Sequence, residues 1–128
     1  MNHAKYTILC VDDDKDNLEL LTFVFEHADF DVLSCDTLEE CLSLARREKL
    51  DAIVLDNRFG NESSLEACEE IRALNPDIPI VFYSGEARRI EIEKVLNACA
   101  DAYLIKPTDF DKLTETVEEL IEEVQAGA

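Results

Sequence analysis

Asp12, Asp13 and Asp14 follow directly on the apolar run Ile8–Val11. Asp56 follows Ala52–Leu55, Ser84 follows Ile80–Tyr83, and Lys106 follows Ala102–Ile105. Carboxylates crowded together repel and disfavour their own ionisation, so such a cluster either solvates a loop or holds a cation. A carboxylate can also accept a phosphoryl group as an acyl phosphate once charge on the transferring oxygens is neutralised. Mg²⁺ suits that task, because it takes about six oxygen ligands and is usually held by one or two carboxylates plus substrate phosphate. Mn²⁺ is the alternative ion. Asp12, Asp13 and Asp56 supply the acidic pocket, Lys106 a second cation, and Ser84 a hydroxyl donor to phosphoryl oxygen.

Each of these residues has a plainer reading. Asp14 and Asp16 are expected to be helix-start charges, with Asp14 as the cap. Asp12 to Asp16 also spells the opening of a calcium loop, but Asn17 would stand at its glycine position and Phe23 at its closing glutamate. That frame fails. Ser84 alone is an ordinary turn residue, Lys106 surface charge and Tyr103 core. Their shared relation to strand ends distinguishes them. His3 and His27 belong to no ligand pattern.

The elements that must position these groups are five short, near-continuous apolar runs: Tyr6–Val11, Val32–Cys35, Ala52–Leu55, Ile80–Tyr83 and Ala102–Ile105. Runs without polar alternation are expected of strands buried on both faces. Helical periodicity fills the gaps, with Leu18, Leu21 and Phe25 on one face of the first helix, and Leu38, Cys41, Leu42 and Ala45 on the second. Leu65, Cys68, Ile71 and Leu74 mark the third; Ile90, Val95 and Leu96 the fourth; Leu113, Val117, Leu120, Ile121 and Val124 the fifth. Thr37 with Glu40, and Ser63 with Glu66, have capping-box spacing. Five strands alternating with helices imply a doubly wound α/β domain, since parallel strands need helical crossovers. Chemistry in such sheets sits outside the carboxyl ends of the strands, where strand order reverses.

The 128 residues fit one domain. A net charge of −18 argues against binding a phosphate backbone, so direct nucleic-acid contact is not expected. No segment approaches the ~20 apolar residues of a membrane span, so a cytoplasmic protein without membrane contact is expected. The five cysteines are scattered and odd in number, which fits buried thiols rather than a zinc site.

At these residues the chain resembles the receiver domain of two-component response regulators, through "CVDDDKDN", "DAIVLDNRF", "PIVFYSGE" and "AYLIKPTDF". The resemblance covers residues 1–128 as a single receiver without an effector domain. It implies a flavodoxin-like sheet of order 2-1-3-4-5 with five helices. It makes Asp56 the phosphoacceptor, Asp12 and Asp13 the acidic pair, Ser84 the switch hydroxyl and Tyr103 the aromatic that turns inward on activation. The metal is implied to sit on Asp13, Asp56 and the Arg58 backbone carbonyl. A cis peptide before Pro107 is implied to aim Lys106 at the pocket. The implied phosphodonor is a histidine kinase or phosphotransfer protein, and output passes to an unidentified protein target through the fourth helix, fifth strand and fifth helix.

The chain departs from the family pattern where Gly60 and Ser64 replace the usual Pro and Gly, so a more mobile loop is expected after Asp56. Arg58 and Glu86 occupy positions that tune water access in the family, and either pair across the pocket mouth or leave Arg58 for phosphate. Two other readings stay open: a pseudo-receiver that binds partners without phosphorylation, and a haloacid-type phosphatase using Asp12 and Asp14.

Overall fold

A computed structural model of the chain describes residues 5–127; His3 lies outside them. Seven strands and five α-helices follow one another: β1 (Tyr6–Val11), α1 (Lys15–His27), β2 (Phe30–Cys35), α2 (Leu38–Arg47), β3 (Ala52–Leu55), β4 (Arg58–Phe59), β5 (Glu62–Ser63), α3 (Leu65–Leu74), β6 (Ile80–Ser84), α4 (Arg89–Ala98), β7 (Ala102–Ile105) and α5 (Leu113–Ala126). A single 3₁₀ turn, Phe110–Lys112, leads into α5.

Five strands form one parallel sheet in the order β2-β1-β3-β6-β7. This is the expected 2-1-3-4-5 order once the small antiparallel β4–β5 hairpin is set aside. The register places Val11 beside both Cys35 and Leu55, Leu55 beside Phe82, and Ser84 beside Ile105. Asp12, Asp56 and Lys106 therefore leave the sheet along one edge, with Ser84 at the end of β6.

Two apolar layers cover the sheet. Leu9, Val11, Ile53, Leu55, Ile80 and Phe82 pack against α2, α3 and α4. Ile8, Cys10, Val54, Val81 and Tyr83 pack against α1 and α5. Pleating explains the split, because alternate residues of one strand point to opposite faces.

The helix faces follow their periodicity in part. Leu18, Leu21 and Phe25 are buried from α1, and Leu113, Val117 and Ile121 from α5. In α4 only Val95 is buried, while Ile90 is 68% and Leu96 39% exposed. Leu74 and Val124 are also exposed. These side chains belong to the periodic pattern but lie on terminal turns or beside the edge strand β7, where no further layer covers them.

Two caps are as expected: Asp14 accepts from the Asp16 and Asn17 amides, and Thr37 Oγ1 from the Glu40 amide at 3.2 Å. The third differs. Ser64, not Ser63, is the N-cap of α3, and its side chain makes no capping bond. The backbone of Ser63 is held in the β4–β5 hairpin, opposite Arg58, while its Oγ still accepts from the amide of Leu65, the first residue of α3, at 3.2 Å.

The expectation of five free thiols is corrected by a disulfide between Cys68 of α3 and Cys99 at the end of α4. Cys10, Cys35 and Cys41 are free and buried. Adjacent crossovers bring α3 and the α4 terminus together on one face of the sheet, a proximity that a separation of 31 residues hides. Arg72 reinforces the same seam. Its guanidinium donates to the carbonyls of Cys99, Pro76 and Ile78 and to Asp101 Oδ2 at 2.7 Å. Among the described residues, no helix is long and apolar enough to cross a membrane.

Candidate functional site

Asp12 directly follows β1 and is 1% exposed, and a buried carboxylate needs partners for its oxygens. It has them. Oδ1 accepts from the Asp14 amide at 2.9 Å, while Oδ2 accepts from the Asn17 side-chain amide and from Lys106 Nζ at 2.6 Å. Asp13, the next residue, faces outward and accepts from the Gly60 amide at 3.3 Å.

Asp56 is fixed where β3 leaves the sheet. Its amide donates to the Val11 carbonyl at 3.0 Å, and its Oδ2 accepts from Lys106 Nζ at 3.0 Å. One carboxylate oxygen each of Asp12, Asp13 and Asp56 lies within 4.8 Å of the others. Three carboxylates thus cluster beside a single ammonium that bonds two of them, Asp12 and Asp56, which leaves uncompensated negative charge and oxygen donors of the kind a hard divalent cation prefers. The donor set fits Mg²⁺.

Lys106 is positioned by its amide, which donates to the Ser84 carbonyl at 2.9 Å, and its ammonium lies 5.7 Å from the Tyr83 ring centroid. The Lys106–Pro107 peptide is cis. Partial burial alone would lower the Lys106 pKa, but the hydrogen bonds and charges of Asp12 and Asp56 outweigh it and hold the group above its ordinary value. The ammonium is therefore a fixed positive charge beside the Asp56 carboxylate.

Ser84 is buried at the end of β6, and its Oγ accepts from the Glu86 amide at 3.3 Å. Tyr103 stacks on Phe82 at 5.8 Å between centroids, with its hydroxyl donating to the Glu86 carbonyl at 2.7 Å. Asn57 Nδ2 donates to the same hydroxyl at 3.3 Å. Burial pushes the Tyr103 phenol up, so it stays a neutral donor.

Glu86 does not pair with Arg58. It is held by Arg88, through Nη2 at 2.7 Å and Nε at 3.0 Å, and by the Arg88 amide at 3.1 Å. These bonds pull its pKa down to about 2, with Arg58 adding only a weaker attraction. Residue spacing explains the outcome, since Arg88 lies two positions away on the same loop and meets Glu86 bidentately. Arg58 stands exposed on β4.

The loop after Asp56 has a defined shape. It forms the β4–β5 hairpin, with Phe59 buried in the core and Gly60 at φ 61° where the two-residue turn requires a left-handed residue. Proline, locked near φ −65°, cannot take that position. Ser64 closes the loop by donating its hydroxyl to the Asp56 carbonyl and its amide to the Asn57 carbonyl. The haloacid reading needs Asp14 in the pocket, but Asp14 caps α1 instead.

Residues 8–118 match the response regulator receiver domain. The chain belongs to that family. The receiver is 32% identical over 121 residues to the transcriptional regulatory protein ZraR of Salmonella typhimurium, a match covering 94% of this chain and 27% of that protein. It thus spans about a quarter of the length of that curated relative. A CheY-like receiver domain protein from Methanospirillum hungatei superposes with a TM-score of 0.90 at 27% identity, covering 96% of this chain and 98% of the other. The receiver domain of the sensor histidine kinase PA1611 of Pseudomonas aeruginosa, at TM-score 0.82 and 25% identity over 91% of this receiver and 98% of that chain, holds a magnesium ion in its active-site cleft. The family is a signalling domain of two-component systems.

Sequence reasoning missed Asn17, Asn57 and Ser64 as supports of this site. Asn17 stands one turn into α1 from Asp14, where only the return of the helix over the β1 terminus brings it to Asp12. Asn57 carries a clearer signal, being a buried amide beside Asp56 that must find a partner.

Proposed function

We propose that this receiver is a phosphorylation-dependent switch, accepting a phosphoryl group on Asp56 from a phosphohistidine of a histidine kinase or phosphotransfer protein. The observation that carries this reading is the single ammonium of Lys106 bound to both Asp12 and Asp56 within a cluster of three carboxylates. In the transfer, the Asp56 oxygen forms the new bond to phosphorus as the phosphorus–nitrogen bond of the donor breaks. Lys106 stands beside the Asp56 oxygen to offset charge on the phosphoryl group. Asp13, Asp56 and the Arg58 carbonyl are assigned as ligands for Mg²⁺ or Mn²⁺, with Asp12 supporting the pocket. The ion supplies neutralisation of phosphoryl oxygens when bound.

After transfer, Ser84 donates its hydroxyl to the phosphoryl group. That removes Ser84 Oγ from the Glu86 amide and loosens the loop on which Tyr103 is anchored. A local charge event then biases a two-state surface made by α4, β7 and α5. Residues 1–128 are read as a receiver acting in the cytoplasm through a protein target, with no direct nucleic-acid or membrane contact and no catalysis beyond its own phosphorylation and dephosphorylation.

Incubation with Mg²⁺ and acetyl phosphate, followed by intact mass, tests the reading. Wild type gains one phosphate and Asp56→Ala gains none. Absence of an adduct with acetyl phosphate and with a phosphohistidine donor overturns it.

A further inference from the structure

Resting on that phosphoacceptor reading, we infer that Ser64 is a positioning residue for Asp56, fixing its backbone by a side-chain hydrogen bond to the Asp56 carbonyl. Asp56 lies one residue past the last paired position of β3, where Val11 and Phe82 flank Leu55. Its amide still reaches the Val11 carbonyl, but its own carbonyl has run beyond both ladders. A part-buried backbone acceptor that has left both ladders needs a donor. The Ser64 hydroxyl provides it.

The cost of that bond is visible next door. Serine is among the best N-cap residues, and Ser64 occupies the N-cap of α3, yet its side chain makes no capping bond, and the first α3 amide donates to Ser63 Oγ instead. By contrast Asp14 and Thr37 do cap their helices with side chains. A local preference given up beside a reactive group is the pattern expected when the group's position takes precedence. Ser64 is also fully buried, so its hydroxyl has no solvent to turn to.

The second bond of Ser64, from its amide to the Asn57 carbonyl at 2.9 Å, makes it the clasp of the whole loop. Between the clasped ends lie the Arg58 carbonyl and Gly60, whose amide holds Asp13. One residue therefore restrains the phosphoacceptor and the segment that touches the metal-facing carboxylate. Asp56, with amide and carbonyl both tied, keeps its side chain directed at Lys106.

The test compares the full-length chain as wild type, Ser64→Ala, Ser64→Gly, Ser64→Thr and Thr37→Ala. Asp56 labelling by acetyl phosphate is followed by mass at saturating Mg²⁺ and varied acetyl phosphate. Ser64→Ala and Ser64→Gly are expected to lower the maximal labelling rate about tenfold with little change in the half-saturating acetyl phosphate concentration, the signature of a misplaced acceptor. Ser64→Thr, which keeps the hydroxyl, restores most of the rate. Thr37→Ala loses a cap of similar worth far from the site and labels as fast as wild type. Labelling of a folded Ser64→Ala or Ser64→Gly chain within about twofold of wild type, or equal slowing by Thr37→Ala, overturns the inference while leaving the phosphoacceptor reading intact. A wild-type chain that is never labelled removes both.

Discussion

The Tyr103 hydroxyl donates to the backbone carbonyl of Glu86 at 2.7 Å, tying the edge strand β7 to the loop that follows Ser84. The same loop places its Glu86 amide on Ser84 Oγ. Tyr103 and Ser84 are thus two bonds apart, so a displacement of either hydroxyl is felt by the other through one residue's backbone.

Tyr103→Phe removes this bond and the one from Asn57. A net loss of about 1–2 kcal/mol is expected from two hydrogen bonds to a half-buried group, read as a lower urea midpoint with unchanged slope. An unchanged midpoint would mean that water replaces the hydroxyl fully.

Asp13 and Asp12 are expected to separate in their effects. Asp12 has both oxygens occupied by protein donors, whereas Asp13 meets only the Gly60 amide among the described residues. By calorimetry, Asp13→Asn should weaken Mg²⁺ binding by about tenfold or more with little loss of stability. Asp12→Asn should cost roughly 1–3 kcal/mol of stability, because a buried hydrogen-bond network is disturbed. Equal effects of the two substitutions on the metal would refute this division.

The carboxyl of Glu86 should titrate at about 2, followed by carbon NMR, and return toward about 4.3 in Arg88→Ala. Because the folded value is depressed, the stability this pair contributes is present above about pH 4.3 and is lost as pH falls toward the folded value. A wild-type midpoint in the ordinary glutamate range would show that Arg88 does not hold the group in solution.

Reducing the Cys68–Cys99 disulfide should lower stability by up to about 3–4 kcal/mol, the chain-entropy value for a loop of this size. Arg72 still clamps the Cys99 carbonyl after reduction, so the fold persists. Cys68→Ser should show the lower melting temperature without reductant and no further drop when reductant is added. A dithiol-sensitive Cys68→Ser chain would point to a different cysteine pair.

Arg72→Lys should cost several kcal/mol despite keeping the charge. One ammonium cannot reach the three carbonyls and the carboxylate that the guanidinium spans. A shift in melting temperature under about 2 °C would show that this clamp is redundant.

Local interactions were legible where one short segment contains both partners. Thr37 meets the Glu40 amide three residues on, and Asp14 caps its own helix, as their spacing predicts. The same reasoning put the cap of α3 one residue early, because the hairpin holds the Ser63 backbone and leaves its hydroxyl to meet the Leu65 amide rather than that of Glu66. It overestimated the buried faces of α3, α4 and α5, since periodicity shows that Ile90 and Leu96 share a pattern but not whether another layer exists to cover them.

By itself the sequence determined the alternation of strands and helices, because buried parallel strands and amphipathic helices have different apolar periods. It thereby determined that Asp12, Asp56, Ser84 and Lys106 emerge along one edge, since strands that all run the same way end together. Only the tertiary structure decided the partners across that edge: Asn17 on Asp12, Ser64 on the Asp56 carbonyl, Arg88 rather than Arg58 on Glu86, and Cys68 on Cys99. Such pairings depend on how loops and crossovers pack within a few ångströms, and residue spacing along the chain does not encode distances that the folded backbone sets.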